Sequence, residues 1–205
     1  MKTHVNIVET KILSDHWYTL KKVTYNYLKK NGLWQTQVRE AYDRGNGAAI
    51  LLYNSKNDTI ILTKQFRLPT YINENPDGMM IEVCAGVLDN DHPEDCIRKE
   101  ALEETGYQID KVEKVFEAYM SPGAVTEILH FFIAEYDHSM KIDIGGGLEH
   151  EQEDIEVQEL DFNVAYNKIQ VVRSEMPKPS CCCNMPKSIN FWVKIVNVVL
   201  ILFFI

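Results

Sequence analysis

Residues 86–107 read GVLDNDHPEDCIRKEALEETGY, a glycine-led loop that runs into a helical pattern and stops at a second glycine. Pro93 suits the first helical position, where an N–H has no partner anyway, with Asp91 or His92 capping ahead of it. Glu94 and Asp95 then fall in the first turn, where the helix dipole favours negative charge. Gly106 fits the stop, because a helix commonly ends on a left-handed residue. Between these ends Glu100, Glu103 and Glu104 stand at i, i+3 and i+4 and share one face. Like charges at that spacing repel by roughly a few tenths of a kcal/mol per pair, and a solvated acidic face is the ordinary reading of such a helix. Here Arg98 and Lys99 are not placed to relieve all three acids. Gly86 also lets backbone approach a ligand closely. Hard cations such as Mg²⁺ take carboxylate and carbonyl oxygens, so the stretch points to a cation site.

The rest of the chain sets the frame around that site. A chain of 205 residues can bury a real core, and its charged fraction of 25% is that of a globular protein. A formal net charge of -9 argues against a nucleic-acid binder, which needs surplus Lys and Arg. An anionic small molecule held through a cation remains open. The 5 cysteines, three of them adjacent at Cys181, Cys182 and Cys183, form no disulfide framework. The first residues lack the apolar core of a secretory signal, so a reducing, cytoplasmic setting is expected.

Strand-like segments dominate. WYTLKKVTYNYL (17–28) and WQTQVREAYDRG (34–45) flank the turn signal Lys30-Asn31-Gly32, which predicts an N-terminal hairpin or small sheet. GAAILLYN (47–54) and TIILTKQFR (59–67) read as buried strands of a main sheet. YINENPDG (71–78) reads as a polar loop, and MMIEVCAGVLD (79–89) as one strand entering the glycine loop. KVEKVFEAYMSPG (111–123) and EILHFFIAEYD (127–137) predict two more strands around a Pro-Gly break. IGGGLEHEQED (144–154) reads as a flexible acidic loop, and 155–169 as a strand turning into a helix. Tyr42, Phe131 and Phe132 are assigned to the core. Many strands around one strong helix predict an α+β fold or α/β/α sandwich with a mixed sheet, preceded by a small N-terminal antiparallel sheet.

The stretch 86–107 resembles the Nudix box, which runs Gly, five residues, Glu, seven residues, then Arg-Glu-hydrophobic-x-Glu-Glu-x-Gly-hydrophobic. Gly86 matches the first glycine and Glu100 to Tyr107 match the end. His92 stands where the family has Glu, the next spacer is one residue short, and Lys99 replaces Arg. Segments 11–20, 39–54, 64–67, 84–91, 96–107, 119–136 and 145–157 together resemble the GDP-mannose pyrophosphatase branch of the Nudix hydrolases, close to the ADP-ribose pyrophosphatases. In that branch the short spacer and the Lys-Glu pair also occur.

The resemblance implies a Mg²⁺-dependent hydrolase of a nucleoside-diphosphate sugar, with GDP-mannose favoured. Another nucleotide-sugar or ADP-ribose pyrophosphatase, or a Nudix-fold binding module with little catalysis, is the alternative. Glu100, Glu104, Glu153 and the Ala85 carbonyl would hold the metal, with Glu103, Glu104 and Glu153 as the catalytic acids; Glu151 is the near rival of Glu153. Ala85, Gly86, Arg67 and Glu127 would line the substrate, with Arg67 on the diphosphate. Trp17 would stack on the base, while Arg39 and Glu40 would reach the neighbouring subunit's nucleotide in a homodimer. The domains implied are 1–43 for dimerisation and 44–170 for hydrolysis.

Residues 171–205 form an atypical tail without helical or strand period. Its apolar end, 193–205, is shorter than the ~20 residues a membrane span requires and contains Lys194 and Asn197. A membrane anchor is therefore not expected. Codons allowed for Lys168 through Ser188 include a shifted frame that spells a turn and an amphipathic helix. This predicts a frameshift near Lys168, which the codons of the gene decide.

Overall fold

The computed structural model describes residues 4–167. The expected tail, the shifted frame near Lys168 and the cysteines at 181–183 lie outside the described residues. The chain forms two compact units. Among the described residues, one comprises 4–47, 87–90 and 117–129; the other comprises 48–86, 91–116 and 130–167.

Three antiparallel strands, β1 (Val5–Asp15), β2 (Thr19–Leu28) and β3 (Trp34–Asp43), make a small sheet in that order. The β2–β3 register runs from Thr19↔Asp43 to Leu28↔Trp34. It is set by the predicted turn, in which Gly32 has φ +80 and its N–H donates to Lys29 O at 2.9 Å. A left-handed φ of that size suits glycine and strains other residues. Strand β1 was not expected from the sequence. Its register against β2 shifts between Ile7 and Glu9 and again between Ile12 and Ser14. Each bulge breaks the period-2 alternation that marks a strand.

The main sheet has 7 strands, with the path β10-β5-β4-β9-β8 and β6 and β7 paired to β5 and β4. Its members are β4 (Gly47–Asn54), β5 (Thr59–Phe66), β6 (Met79–Glu82), β7 (Cys84–Val87), β8 (Glu113–Tyr119), β9 (Ile128–Glu135) and β10 (Glu156–Asp161). Strand β4 is buried at every residue except Tyr53, as a near-continuous apolar run between two neighbours should be. Phe131 and Phe132 on β9 are core residues, as expected, and Phe131 stacks on Phe116. Residues 162–167 are helical, so the strand-to-helix reading of the last segment holds. The α+β class, with a small antiparallel sheet before a larger mixed one, is the one the sequence predicts. Among the described residues no helix is long and apolar enough to cross a membrane.

Two boundaries differ. The predicted single strand at 79–89 is two strands, because β6 pairs with β5 while β7 pairs with β4, and the chain changes partner at Val83. The predicted loop at 71–78 is preceded and entered by a five-residue helix, α1 (Leu68–Ile72), begun by Pro69 and by the Thr70 hydroxyl donating to Arg67 O at 2.9 Å.

Candidate functional site

The quoted stretch folds as the helix α2 (Pro93–Thr105). His92 is the N-cap residue, but its side chain makes no capping bond, so the dipole is met by Glu94 and Asp95 instead. Arg98 reaches back to Glu94 and Asp95 at 3.1 Å each and donates to the Asp110 carbonyl at 3.0 Å. It is thereby committed to the start of the helix and leaves the later acids alone. Gly106 ends α2 with φ 80 and its N–H on Leu102 O. A Cβ there would also run into the Asp143 carbonyl, so this position excludes a side chain twice over.

The C-terminal carbonyls of α2 hold the acidic loop. Gly146 N–H donates to Glu104 O at 2.8 Å and Gly147 N–H to Glu103 O at 3.0 Å. Ile142 and Asp143 both donate to Gly106 O, at 3.0 and 3.2 Å. Gly145, Gly146 and Gly147 adopt φ of 70, 112 and 82, which turns successive N–H groups toward the helix end. The loop predicted to be flexible is therefore docked, with a physical reason the triple glycine alone does not reveal. Docking places Glu153, whose Oε2 accepts from Leu148 N–H at 3.0 Å. Glu151 sits in the 3-10 turn Glu149–Glu151, is exposed, and faces His150 at 3.7 Å.

The helix acids are not a solvated face. Glu104 is only 1% exposed. Burial raises its carboxyl from the ordinary 4.5 to about 8, and Glu100 and Glu153 push the same way. Hydrogen bonds from the Cys84 thiol and from Ala85 N–H, the latter at 3.3 Å, pull it down without cancelling the effect. Glu100 is raised to about 7 by burial first, then by Glu103 and Glu153. Glu103 keeps an i,i+4 ion pair with Lys99 at 3.5 Å, so the neighbouring lysine is engaged by that acid. Gly86 lies against the Glu100 side chain so closely that a Cβ would overlap its carboxylate. Burial drives the Cys84 thiol well above its ordinary range.

Among the described residues, no three His, Cys, Asp or Glu side chains already converge as a closed ligand cage. The donor set nonetheless fits a hard cation. The charge of Glu153 raises the proton affinity of both Glu100 and Glu104, a backbone strand lies beside them, and the glycine cradle admits nothing larger. Carboxylates held together against their repulsion gain most from a divalent ion among them.

The remaining predicted residues divide between the units. Arg67, in the same unit as α2, donates from Nε to Glu82 Oε2 at 2.8 Å and is half exposed. Its backbone N–H is fixed by Gly78 O at 2.8 Å. Trp17, Arg39, Glu40 and Glu127 belong to the other unit. Trp17 is 74% exposed and meets Tyr18 edge-on with ring centroids 6.3 Å apart. Arg39 and Glu40 are exposed on β3, with Arg39 donating to the Val38 carbonyl. Glu127 is buried, and burial raises its carboxyl while Arg44 opposes the shift. Arg44 Nε lies 3.4 Å from Glu127 Oε1, and its guanidinium sits 5.5 Å over the Tyr18 ring.

Tyr42 is not core: it is 37% exposed, because it stands on the small sheet rather than in the main one. Arg44, Glu82 and Cys84 were not singled out from sequence. Each is a single residue outside any periodic or clustered pattern, and only the fold supplies its partner.

Comparison with known proteins gives the family. Residues 4–42 match the GDP-mannose pyrophosphatase NudK N-terminal domain and residues 43–175 match the NUDIX domain. The chain is 58% identical to a GDP-mannose pyrophosphatase of Pectobacterium atrosepticum over 165 residues, covering 80% of this chain and 84% of that protein. It is 55% identical to a GDP-mannose pyrophosphatase of Salmonella typhimurium over 174 residues, covering 85% and 88%. A crystal structure of an ADP compounds hydrolase shares the fold at TM-score 0.60 and 16% identity, covering 82% of this chain and 84% of that one. The chain belongs to the Nudix hydrolases, in the branch of the GDP-mannose pyrophosphatases.

Proposed function

We propose that this chain hydrolyses GDP-mannose to GMP and mannose 1-phosphate with Mg²⁺ as its cofactor. The observation that carries the reading is the group of mutually repelling carboxylates on α2 beside Gly86, with Glu104 buried and Glu100 half-buried. The substrate comes from the relatives, which are GDP-mannose pyrophosphatases.

Glu100, Glu104, Glu153 and the Ala85 carbonyl are the groups that would hold the ion. When bound, Mg²⁺ neutralises diphosphate charge and lowers the pKa of a coordinated water. One water adds across the phosphoanhydride, breaking a P–O bond and leaving a phosphate monoester on each side. Glu153, on the docked loop, orients that water or takes its proton. Glu103 completes the acidic cluster, with its charge partly met by Lys99. Arg67, already oriented by Glu82, grips the diphosphate oxygens through its planar fork. Ala85 and Gly86 bring backbone to the substrate, Glu127 contacts it, and Trp17 stacks on guanine. Arg39 and Glu40 reach the nucleotide of a partner in a homodimer. Residues 1–43 serve dimerisation and 44–170 hydrolysis. Cys84 and Cys96 are buried thiols outside any disulfide, which supports a reducing cytoplasmic setting.

The test is a panel of nucleotide sugars and ADP-ribose with purified protein and Mg²⁺, with products separated by chromatography. GMP and mannose 1-phosphate should form from GDP-mannose faster than products from any other member. Preference for ADP-ribose transfers the site to that substrate, and binding without turnover makes the chain a binding module. Glu104→Gln should lower turnover by roughly a hundredfold to a thousandfold, the rate equivalent of several kcal/mol of metal assistance. An unchanged rate in that variant refutes the metal-site assignment.

A further inference from the structure

Residues 42–46 hold Glu127 and its chain neighbours. Thr126 N–H donates to Tyr42 O and its hydroxyl to Asp43 Oδ1, each at 3.0 Å, while Ile128 N–H donates to Asn46 Oδ1 at 3.0 Å. The backbone on both sides of Glu127 is therefore fixed. Its side chain is met by Arg44, whose Nε lies 3.4 Å from Oε1. That N–H is buried without an aligned hydrogen bond, so charge rather than a directed bond couples the pair. The neighbouring acid does not compete for the arginine. Asp43 accepts from Lys21 Nζ at 2.6 Å and from Gly45 N–H at 3.3 Å, besides the Thr126 hydroxyl. Arg44 is itself steadied by Tyr18, over whose ring its guanidinium sits at 5.5 Å. Tyr18 in turn meets Tyr42 and Trp17 edge-on, with centroids 5.8 and 6.3 Å apart. The arginine thus joins Glu127 to the aromatic group that carries Trp17.

We propose that Arg44 is a positioning residue for substrate binding: its charge keeps the Glu127 carboxylate charged and in place, as an acceptor for hydroxyl or N–H groups of the nucleotide sugar. The inference rests on the proposed function, in which Glu127 contacts substrate. An ionised carboxylate only accepts hydrogen bonds, whereas a protonated one commits an oxygen to donating. Burial favours the protonated form of Glu127, and Arg44 opposes it. A buried ion pair adds little to stability over apolar residues of similar volume, so folding alone gives no reason for the charges there.

GDP-mannose hydrolysis is followed across pH with saturating Mg²⁺ in the full-length chain and its variants, and thermal unfolding reports folding separately. Arg44→Met and Arg44→Gln, which lack the charge, should raise KM roughly tenfold or more while kcat stays within about threefold, the pattern of lost substrate binding. Using both guards against one of them failing to fold. The acid limb of kcat/KM should begin at higher pH in these variants, because Glu127 loses the cation that opposes its protonation. Arg44→Lys, which keeps the charge, should hold KM within about threefold of the original chain. Adding Arg44→Met to Glu127→Gln should raise KM no further than Glu127→Gln does alone. Charge-free variants with the original KM and pH profile overturn the proposal, as does Arg44→Lys binding as weakly as they do. A loss confined to thermal stability, with KM unmoved, leaves Arg44 a structural residue and refutes the inference. If Glu127→Gln leaves KM unchanged, Glu127 is no substrate contact, and the proposal falls while the metal-site reading stands. If the original chain hydrolyses no GDP-mannose, the proposed function falls and the inference with it.

Discussion

Glu104 and Glu127 are both buried carboxylates, at 1% and 8% exposure, yet they live in opposite electrostatic company. Glu127 has Arg44, whose Nε lies 3.4 Å away and whose plane covers Tyr18. Glu104 has Glu100 and Glu153, and two neutral donors in Cys84 and Ala85. A buried charge must be paired or give up its ionisation. Among the described residues, Arg44 supplies the counter-charge to Glu127, while Glu104 is surrounded by acids and the strongest influences on its carboxyl include no cation. The difference teaches that burial of an acid is not by itself a sign of a cation site. What marks the site is burial among like charges, with the nearby Lys99 and Arg98 spent on Glu103 and on the helix start.

The largest effect separating the two regions should appear in the pH dependence of stability without metal. Folded, Glu100 and Glu104 keep their protons up to about 7 and about 8, against an ordinary value of 4.5 in the unfolded chain. Between those values the folded state binds more protons, so stability falls as pH rises. The contribution is complete below about 4.5 and lost through 7 and 8. The melting temperature in chelator should drop by about 5 °C or more between mildly acidic and mildly alkaline pH. Glu104→Gln should flatten the drop, and Mg²⁺ should restore stability most at the alkaline end. Glu127 is also raised by burial and adds a smaller part of the same slope. A profile identical in the original chain and Glu104→Gln breaks the comparison.

How much of this was legible follows from the range of each interaction. The limits of α2 were, because Pro93 and Gly106 answer to backbone demands within a turn of themselves. The shared face of Glu100, Glu103 and Glu104 follows from helical period alone. The burial of Glu104 does not: it requires β7 and the 145–147 loop, which is attached by N–H bonds from Gly146 and Gly147 across more than forty residues of chain. The same docking puts Glu153 on the Leu148 N–H and leaves Glu151 exposed in the 3-10 turn, and both acids act on Glu100. Strand β1 hid behind its two bulges, and Tyr42 was misread because aromatic character does not say which sheet will bury it. Arg44 meets Glu127 and Tyr18, both distant from it in sequence.

The Arg44–Glu127 pair gives the next effect. Removing one member of a fully buried pair costs about 3–5 kcal/mol. Arg44 is about two-fifths exposed, so screening reduces the expected loss for Arg44→Met to roughly 1–3 kcal/mol. Adding Glu127→Gln removes the stranded charge, and the double variant should regain at least about 0.5 kcal/mol of that loss in denaturant unfolding. Single and double variants of equal stability would mean that Glu127 is not charged by virtue of Arg44, and the contrast with Glu104 would lose one side.

Lys99 tests the same contrast at its weakest point. Its ion pair with Glu103 spans 3.5 Å on the outer side of α2, and the lysine is more than half exposed. Glu103 raises the lysine's proton affinity, and Lys99 in turn lowers that of Glu100, but less than burial and the neighbouring acids raise it. Lys99→Ala should therefore cost only about 0.3–0.5 kcal/mol, and the loss should fade in about 1 M salt. It should leave the pH slope of stability nearly as steep as in the original chain, because Glu104 keeps all of its like-charged neighbours. If Lys99→Ala instead moves that slope as far as Glu104→Gln does, the acids of α2 share one compensating cation after all. The distinction between a face completed by the chain and one that calls for a metal would then fail at Glu104 itself.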